Sequence, residues 1–271
     1  MKIGKETVPR TRISTSDEDT IVVRGLDLCA DLIGKTTFSD YFHLLVSGRR
    51  PTPAATAVHD GTLVGSAQHG LVPSVQASRM TLAAAPDALQ GAVAAGILGC
   101  GSVILGASEN AGRMFVEIGE KAGDGGDVEA AALEVLKAYR AAGKPIPGYG
   151  HPLHKARDPR VDRLFAVARD SGAGRRFVGI AEAVERVIGD VTGKALKLNV
   201  SAAIPAVLLD VGFPVTGLRG VPILARAAGL IGHLVEEQQH PIGFALSYQA
   251  TRELVYEGEV PDGFGSRENK H

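Results

Sequence analysis

The segment 148–160 combines side chains that bind anions with side chains that transfer protons. It holds two histidines, three cations and one carboxylate: His151, His154, Lys155, Arg157, Asp158 and Arg160. A histidine exchanges protons near neutral pH, an arginine can hold a carboxylate through two parallel hydrogen bonds, and a lysine offers a point charge to a phosphate. The segment therefore predicts a site for an anionic, phosphate-bearing substrate that undergoes acid–base chemistry.

The loop that leads into this segment, residues 145–150, is rich in glycine and proline. Glycines let a backbone approach a ligand closely, and prolines restrict the conformation of a loop. A solvated loop that enters a helix explains the same spacing equally well, with Asp158 as the N-cap and Pro159 in the first turn. Spacing alone therefore suggests a site without establishing one.

Charge and cysteine content narrow the class of protein. The 271 residues, enough for one or two domains, include 29 basic and 30 acidic side chains, and this balance argues against a general binder of nucleic acids or polyanions. Cys29 and Cys100 give neither a disulfide framework nor a metal-ligand spacing, so we expect no metal and a reducing, cytoplasmic location. Residues 1–6 lack the apolar stretch of a signal peptide.

Helical periodicity dominates the chain, and one short strand, residues 20–24, predicts a small N-terminal hairpin. Apolar residues recur at helical spacing over 128–139, with Asp127 as the N-cap and Gly143 as the stop, and again over 177–191. Strands and helices do not alternate as in a doubly wound sheet, and neither a phosphate loop nor a dinucleotide fingerprint is present.

Two further stretches of the sequence indicate whether the chain spans a membrane and where a domain boundary lies. Residues 88–108 carry no charge and are long enough to span a bilayer. Their high content of Ala and Gly favours closely packed buried helices over a membrane span. Residues 119–127 combine glycine with charge and predict a hinge or a domain edge.

Motifs elsewhere in the chain extend the pattern of segment 148–160. In order they are Thr11-Arg-Ile-Ser with Ile21-Val-Val-Arg-Gly-Leu, Phe38-Ser-Asp-Tyr-Phe-His, Gln68-His-Gly-Leu-Val-Pro-Ser, Gly99-Cys-Gly-Ser, Leu198-Asn-Val, and Ala225-Arg-Ala-Ala-Gly. Together they resemble the citrate synthase superfamily, and most closely its citryl-CoA lyase branch, which includes the C-terminal module of ATP-citrate lyase. The likeness runs over nearly the whole chain.

The resemblance implies an all-α, citrate-synthase-like two-domain helical fold with a small N-terminal β-hairpin. A small domain, residues 111–214, would close over a large domain formed by residues 1–110 and 215–271. The implied ligands are an acyl-CoA and a polycarboxylate or 2-oxo acid, with coenzyme A as part of the substrate and no tightly bound cofactor. The implied assembly is a homodimer or homotetramer, with neither nucleic acid nor membrane as a partner.

The resemblance also assigns roles to individual residues. His151 would handle the carbonyl or hydroxyl oxygen of the substrate, and His69 would hydrogen-bond the same polar end. Arg160 and Arg226 would bind substrate carboxylates. His240 is the candidate for a basic residue that related enzymes supply to a neighbouring subunit's site. Coenzyme A would contact Lys155 through a phosphate and the backbone of Pro147, Gly148, Tyr149 and Gly150.

This chain departs from the synthase pattern at several positions. Ile104-Leu-Gly-Ala-Ser stands where synthases have a His-Gly-Gly-Ala-Asn-like motif, and the region 51–69 is shorter than in full-length synthases; both features favour the lyase branch. Ser201 replaces the aspartate of the family's Asn-Val-Asp, which transfers a proton at the α-carbon of the thioester. A serine hydroxyl is a far weaker acid or base unless another group activates it. Asp210, nine residues along a helix, would face the opposite side.

The resemblance predicts a carbon–carbon lyase that cleaves citryl-CoA, or a related 3-hydroxy-3-carboxyacyl-CoA, to an acyl-CoA and a 2-oxo acid by a retro-Claisen reaction. His151, His69 and Ser201 are the catalytic candidates. One alternative is a condensing acyltransferase similar to citrate synthase. Another is a catalytically weak homologue that only binds acyl-CoA, because Ser201 stands in place of the family aspartate.

Overall fold

A computed structural model describes residues 8–102, 104–150 and 157–264 of the chain. Helices dominate these residues, which confirms the all-α prediction. The α-helices in chain order are α1 (Phe38–Ser47), α2 (Pro53–Ala67), α3 (Pro73–Ala84), α4 (Leu89–Leu98), α5 (Gly106–Ala122), α6 (Val128–Ala141), α7 (Pro159–Asp170), α8 (Arg176–Thr192), α9 (Val200–Asp210), α10 (Gly220–Gln239) and α11 (Gly243–Arg252).

The predicted N-terminal hairpin is confirmed and extended to three antiparallel strands. They are β1 (Ser14–Ser16), β2 (Ile21–Val23) and β3 (Leu26–Asp27), with Ser14 opposite Val23. Between β2 and β3 the guanidinium of Arg24 donates from Nε to the carbonyl of Leu45, 3.0 Å away, near the end of α1. This hydrogen bond fixes the small sheet to the first helix.

The largest hydrophobic core joins α5, α6, α8 and α9. On α9, Ala202–Leu208 are all buried. Close approach of the helices depends on Gly112 of α5, where an added Cβ would lie 2.3 Å from Cδ1 of Leu218. The predicted cap of α6 is also present, since the carboxylate of Asp127 accepts from the backbone N–H groups of Glu129 and Ala130. Local sequence signals thus place α6 correctly.

Contacts between Cα atoms divide the chain into two compact units. The first unit contains Met1–Gly70 and Cys100–Gly229, and the second contains Leu71–Gly99 and Leu230–His271. The predicted small domain, residues 111–214, lies entirely in the first unit. Its closure over a large domain stays a prediction.

The second unit contains a cluster of ion pairs around the buried guanidinium of Arg79. The guanidinium of Arg79 on α3 donates to Glu237 (2.5 Å), to Glu236 (2.6 Å) and to the carbonyl of His240 (2.9 Å). The carboxylate of Glu237 also accepts from the backbone N–H groups of Ile242 and Gly243, where α11 begins. Burial opposes ionisation of Glu237, but these hydrogen bonds outweigh it and lower its pKa.

The uncharged residues 88–108 do not form one helix. They are divided between α4 and the start of α5. Close packing does occur at Gly96, where an added Cβ would lie 2.7 Å from Cδ1 of Leu230, but Leu98 is exposed. In the part of the chain that the structure describes, one helical segment, Val215–Gln239, is long and apolar enough to cross a membrane by length and composition.

Candidate functional site

The loop 145–150 lies against the N-terminus of α9, the helix that carries Ser201. Tyr149 forms an antiparallel bridge with Leu198. The N–H of Gly150 donates to the carbonyl of Lys197 at 2.7 Å, and the N–H of Asn199 donates to the carbonyl of Gly148 at 2.9 Å. The structure therefore brings the predicted coenzyme A loop and the position of the missing aspartate into one place.

Gly148 explains how the loop comes so close to α9. Its φ is +87°, and an added Cβ would lie 2.5 Å from the Cβ of Ala202. Only glycine adopts this conformation readily and leaves room for the helix. The close approach that this glycine permits is therefore to α9, whereas the sequence suggested an approach to a ligand.

The side chain of Tyr149 anchors the loop to α8. Its hydroxyl donates to the carbonyl of Ala181 at 2.8 Å, and its ring is buried. Burial, reinforced by the charge of Glu185, raises the pKa of Tyr149 well above its ordinary value. The phenol therefore stays protonated and serves as a structural anchor of the loop.

Asp158 fixes Arg160 and also joins two helices. As the N-cap of α7 it accepts from the backbone N–H of Arg160 at 3.0 Å, as the spacing predicted, and it also accepts from Nε (3.0 Å) and Nη2 (2.7 Å) of the same residue. Burial opposes ionisation of Asp158. Hydrogen bonds from Arg160, together with the backbone N–H of Val200 in α9, outweigh that burial and lower its pKa. Two of the three nitrogens of the Arg160 guanidinium thus already donate to Asp158.

The last turn of α2 lies near Arg160 and near the turn of α10 that follows Arg226. Nη1 of Arg160 is 3.4 Å from the carbonyl of Gly65. One turn after Arg226, Gly229 of α10 approaches Ala67 so closely that an added Cβ would lie 1.9 Å from the Ala67 carbonyl oxygen. The end of α2 therefore contacts both α7 and α10.

Arg226 is the unusual charge in this region. The residue is 7 % exposed, and within the described ranges its Nε and Nη1 atoms are buried and have no hydrogen-bond partner. Burial of a cation without a partner is costly, and such groups are normally paired. This arrangement suits the binding of an anion.

His69 and Ser201 lie in the same compact unit as these arginines. His69 is exposed directly after α2, where the side-chain oxygen of Gln68 accepts from the N–H groups of His69 and Gly70. Ser201 is half-buried in the first turn of α9. Asp210, at the far end of α9, accepts from the N–H groups of Phe177 and Val178 at the start of α8.

Three predicted residues remain, namely His240, His151 and Lys155. His240 belongs to the second compact unit, where it is exposed and its backbone carbonyl accepts from Arg79. His151 and Lys155 lie outside the described residues. Sequence reasoning missed one residue that the geometry makes prominent, Asn199, which touches both Gly150 and Ser201. Its position before an apolar helix was the available signal.

Comparison with known proteins identifies the class. The family described as citrate synthase, C-terminal domain, matches residues 35–243, and the chain belongs to this family. Within it, the chain is similar to the citryl-CoA lyase from Hydrogenobacter thermophilus, with a TM-score of 0.82 at 33% identity over 94% of this chain and 96% of that one. This similarity supports the citryl-CoA lyase branch.

Other relatives are more distant. ATP citrate lyase from Methanothrix soehngenii has the same fold, with a TM-score of 0.73 at 23% identity over 95% of this chain and 43% of that one. Citrate synthase from Haloferax volcanii is 24% identical over 73% of this chain and 51% of its own length. 2-Methylcitrate synthase from Mycobacterium tuberculosis is 26% identical over 79% and 52%. The chain spans about half the length of the curated relatives it matches.

Proposed function

We propose that this protein is a carbon–carbon lyase that cleaves citryl-CoA, or a related 3-hydroxy-3-carboxyacyl-CoA, to an acyl-CoA and a 2-oxo acid. The observation that carries the proposal is the buried guanidinium of Arg226 on α10, whose Nε and Nη1 have no hydrogen-bond partner among the described residues, in a chain that is similar to a citryl-CoA lyase over nearly its full length.

Substrate binding begins with the carboxylates. Nε and Nη1 of Arg226 are buried donors with no partner in the described part of the chain, so a carboxylate placed there would gain charge-assisted hydrogen bonds. Arg160 is oriented beforehand by Asp158 and contributes the hydrogens that face away from that carboxylate. The backbone of Pro147, Gly148, Tyr149 and Gly150, with Lys155, is proposed to hold coenzyme A as part of the substrate. ATP citrate lyase, which shares the fold, binds citrate and coenzyme A.

The proposed chemistry is a retro-Claisen cleavage. His151, assisted by His69, accepts the proton of the substrate hydroxyl while that oxygen becomes the carbonyl of the 2-oxo acid. The electrons of the broken C–C bond pass to the α-carbon of the thioester, which then takes up a proton to give the acyl-CoA. Ser201 is the candidate on α9 for delivering this proton.

The test is a cleavage assay of the purified protein against a panel of 3-hydroxyacyl-CoAs, with the released acyl-CoA and 2-oxo acid identified by mass spectrometry. We expect cleavage of at least one 3-carboxylated member and loss of turnover in a folded His151→Gln variant. Release of products from substrates that lack the 3-carboxylate, at the same rate, would contradict the proposal, because the arginines would then have no role.

Two alternatives have specific support. The relatives that are citrate and 2-methylcitrate synthases favour condensation, which predicts formation of a tertiary alcohol from oxaloacetate and an acyl-CoA in the reverse assay. Ser201 favours a homologue that binds acyl-CoA without turnover. A Ser201→Asp variant that gains citryl-CoA cleavage absent from the wild type would support that second alternative.

A homodimer is the proposed minimal assembly, in the cytoplasm. The second compact unit exposes large apolar side chains on α11, namely Phe244 (69 % exposed) and Tyr248 (63 %). The side chains of Leu98, Ile231 and Val235 in the same unit are also exposed. Exposed apolar surface of this kind is typical of interfaces between subunits. Sedimentation of wild type and of a Phe244→Glu, Tyr248→Glu double variant should show a dimer and a monomer, respectively.

A further inference from the structure

Asn199 joins the loop that precedes His151 to the helix that carries Ser201. Its backbone N–H donates to the carbonyl of Gly148 at 2.9 Å. Its side-chain Nδ2 donates to the carbonyl of Gly150 at 2.6 Å, and its Oδ1 accepts from the N–H of Ser201 at 2.9 Å. One side chain thus holds the last described residue of the loop and the first turn of α9 together.

The orientation of the Asn199 amide is fixed by its partners. Gly150 presents a carbonyl, which only accepts, and Ser201 presents an N–H, which only donates. If the amide were flipped, its oxygen would face the Gly150 carbonyl and its NH2 group would face the Ser201 N–H, so both hydrogen bonds would be lost. The amide is therefore the group that satisfies both sides at once.

Capping α9 does not require an asparagine. Serine, threonine and aspartate accept the N–H groups of a helix start about as well, and elsewhere in this chain Thr37, Thr52, Asp127 and Asp158 do so. What those residue types lack is an Nδ2 donor that reaches a carbonyl on another segment. The bond to Gly150 is thus a function of Asn199 beyond the cap.

We infer that Asn199 is a positioning residue, which fixes the Gly150 carbonyl and so the backbone from which His151 extends relative to Ser201. This inference rests on the proposed function, because its consequence is geometric alignment of the two catalytic candidates. Without the Asn199 amide, the loop would still be held by the Tyr149 hydroxyl on Ala181 and by the Gly150 N–H on Lys197. The Gly150 carbonyl, however, would lose its hydrogen bond from Nδ2 and would no longer be fixed relative to α9.

The test uses Asn199→Ser and Asn199→Asp, which keep an N-cap acceptor and lose the donor to Gly150. Asp127→Ala serves as the matched control, because it removes the cap of α6 without touching the loop. Two quantities are measured in the full-length protein: hydrogen exchange of the backbone over 145–151, and kcat and KM for citryl-CoA. We expect faster exchange in both Asn199 variants, and kcat lower by about 10–100-fold with little change in KM.

Each outcome decides the inference. Unchanged exchange in both Asn199 variants overturns it, and so does faster exchange with an unchanged kcat, or an Asp127→Ala control that behaves in the same way. A wild-type protein without turnover overturns the proposed function instead. In that case, faster exchange in the Asn199 variants alone still supports the positioning role for the loop, and equal exchange refutes it.

Discussion

Two buried arginines in this protein have nearly the same exposure and opposite surroundings. Arg79, 3 % exposed in the second compact unit, donates to two carboxylates and a backbone carbonyl. Arg226, 7 % exposed in the first unit, has two buried nitrogens with no partner among the residues the structure describes. Because a buried cation is tolerated only when it is paired, the first arginine is a structural element and the second is suited to a ligand.

Arg160 lies between these extremes. Two of its nitrogens donate to Asp158, and the third, Nη1, is 3.4 Å from the carbonyl oxygen of Gly65. We therefore expect a guanidinium whose donors are paired within the protein to have a structural role, and one whose donors have no protein partner to bind a ligand. This distinction can be tested by substitution.

The largest effect on stability is expected at the saturated arginine. Arg79→Met leaves the buried carboxylate of Glu237 without its cation, and breaking a buried pair from one side costs about 3–5 kcal/mol. Chemical denaturation should show this loss in the free energy of unfolding. The double variant Arg79→Met, Glu237→Leu removes both charges and should recover part of the stability; a double variant less stable than Arg79→Met would contradict the pairing argument.

Arg226→Met should behave in the opposite way. Substrate affinity should fall by about 3 kcal/mol because hydrogen bonds to a carboxylate are lost, whereas the free energy of unfolding without ligand should not fall. Calorimetric binding of citrate or citryl-CoA and denaturation of the same preparation measure both quantities. Arg169→Gln is the matched control, since Arg169 is exposed and pairs with its neighbour Asp170. Loss of stability without loss of affinity would make Arg226 a structural residue.

A buried pair of histidines extends the comparison to neutral groups. Nδ1 of His43 lies 3.1 Å from Nε2 of His59, and Nδ1 of His59 is buried without a hydrogen-bond partner in the described chain. Burial, with the charge of His43 second, lowers the pKa of His59 to about 4 from its ordinary value of 6.5. The unpaired nitrogen is tolerated here because the ring stays uncharged.

The pH dependence follows from that lowered pKa. The unfolded chain binds a proton at a higher pH than the folded protein does, so the contribution of His59 is complete above about pH 6.5 and is lost as the pH falls toward 4. The expected loss is about 3 kcal/mol. Denaturation from pH 7.5 to 4.5 should show it, and His59→Phe should reduce the slope. An equal slope in that variant would assign the dependence to other groups.

The smallest effect is expected at the partly satisfied arginine. Asp158→Asn keeps an acceptor for the N-terminus of α7 but removes the charge that holds Arg160, so we expect about 1–2 kcal/mol of destabilisation. The KM of the substrate should rise because Arg160 is no longer oriented. Unchanged KM in a destabilised variant would limit Asp158 to its capping role.

The sequence predicted those features that depend on neighbouring residues. The caps Asp127 and Asp158 and the extent of α6 follow from positions within one or two turns. The ion pair of Arg79 with Glu237 joins residues 158 positions apart, and the contact of Asn199 with Gly150 spans 49. No local pattern encodes such contacts. Arg160 was predicted as a carboxylate ligand from its type, but the pairing of two of its nitrogens with Asp158 depends on side-chain conformations that the residue types do not specify.

If a ligand binds at Arg226, whose Nε and Nη1 have no partner among the described residues, folding is linked to the concentration of that ligand. A ligand that binds only the folded protein stabilises it by about 2.7 kcal/mol at a free concentration of one hundred times its dissociation constant. A site whose cation is neutralised only by the ligand would give a large difference in stability between the ligand-free and the ligand-bound protein. We therefore expect carboxylates and acyl-CoAs that bind at Arg226 to raise the melting temperature, and a thermal-shift screen of both classes tests this directly.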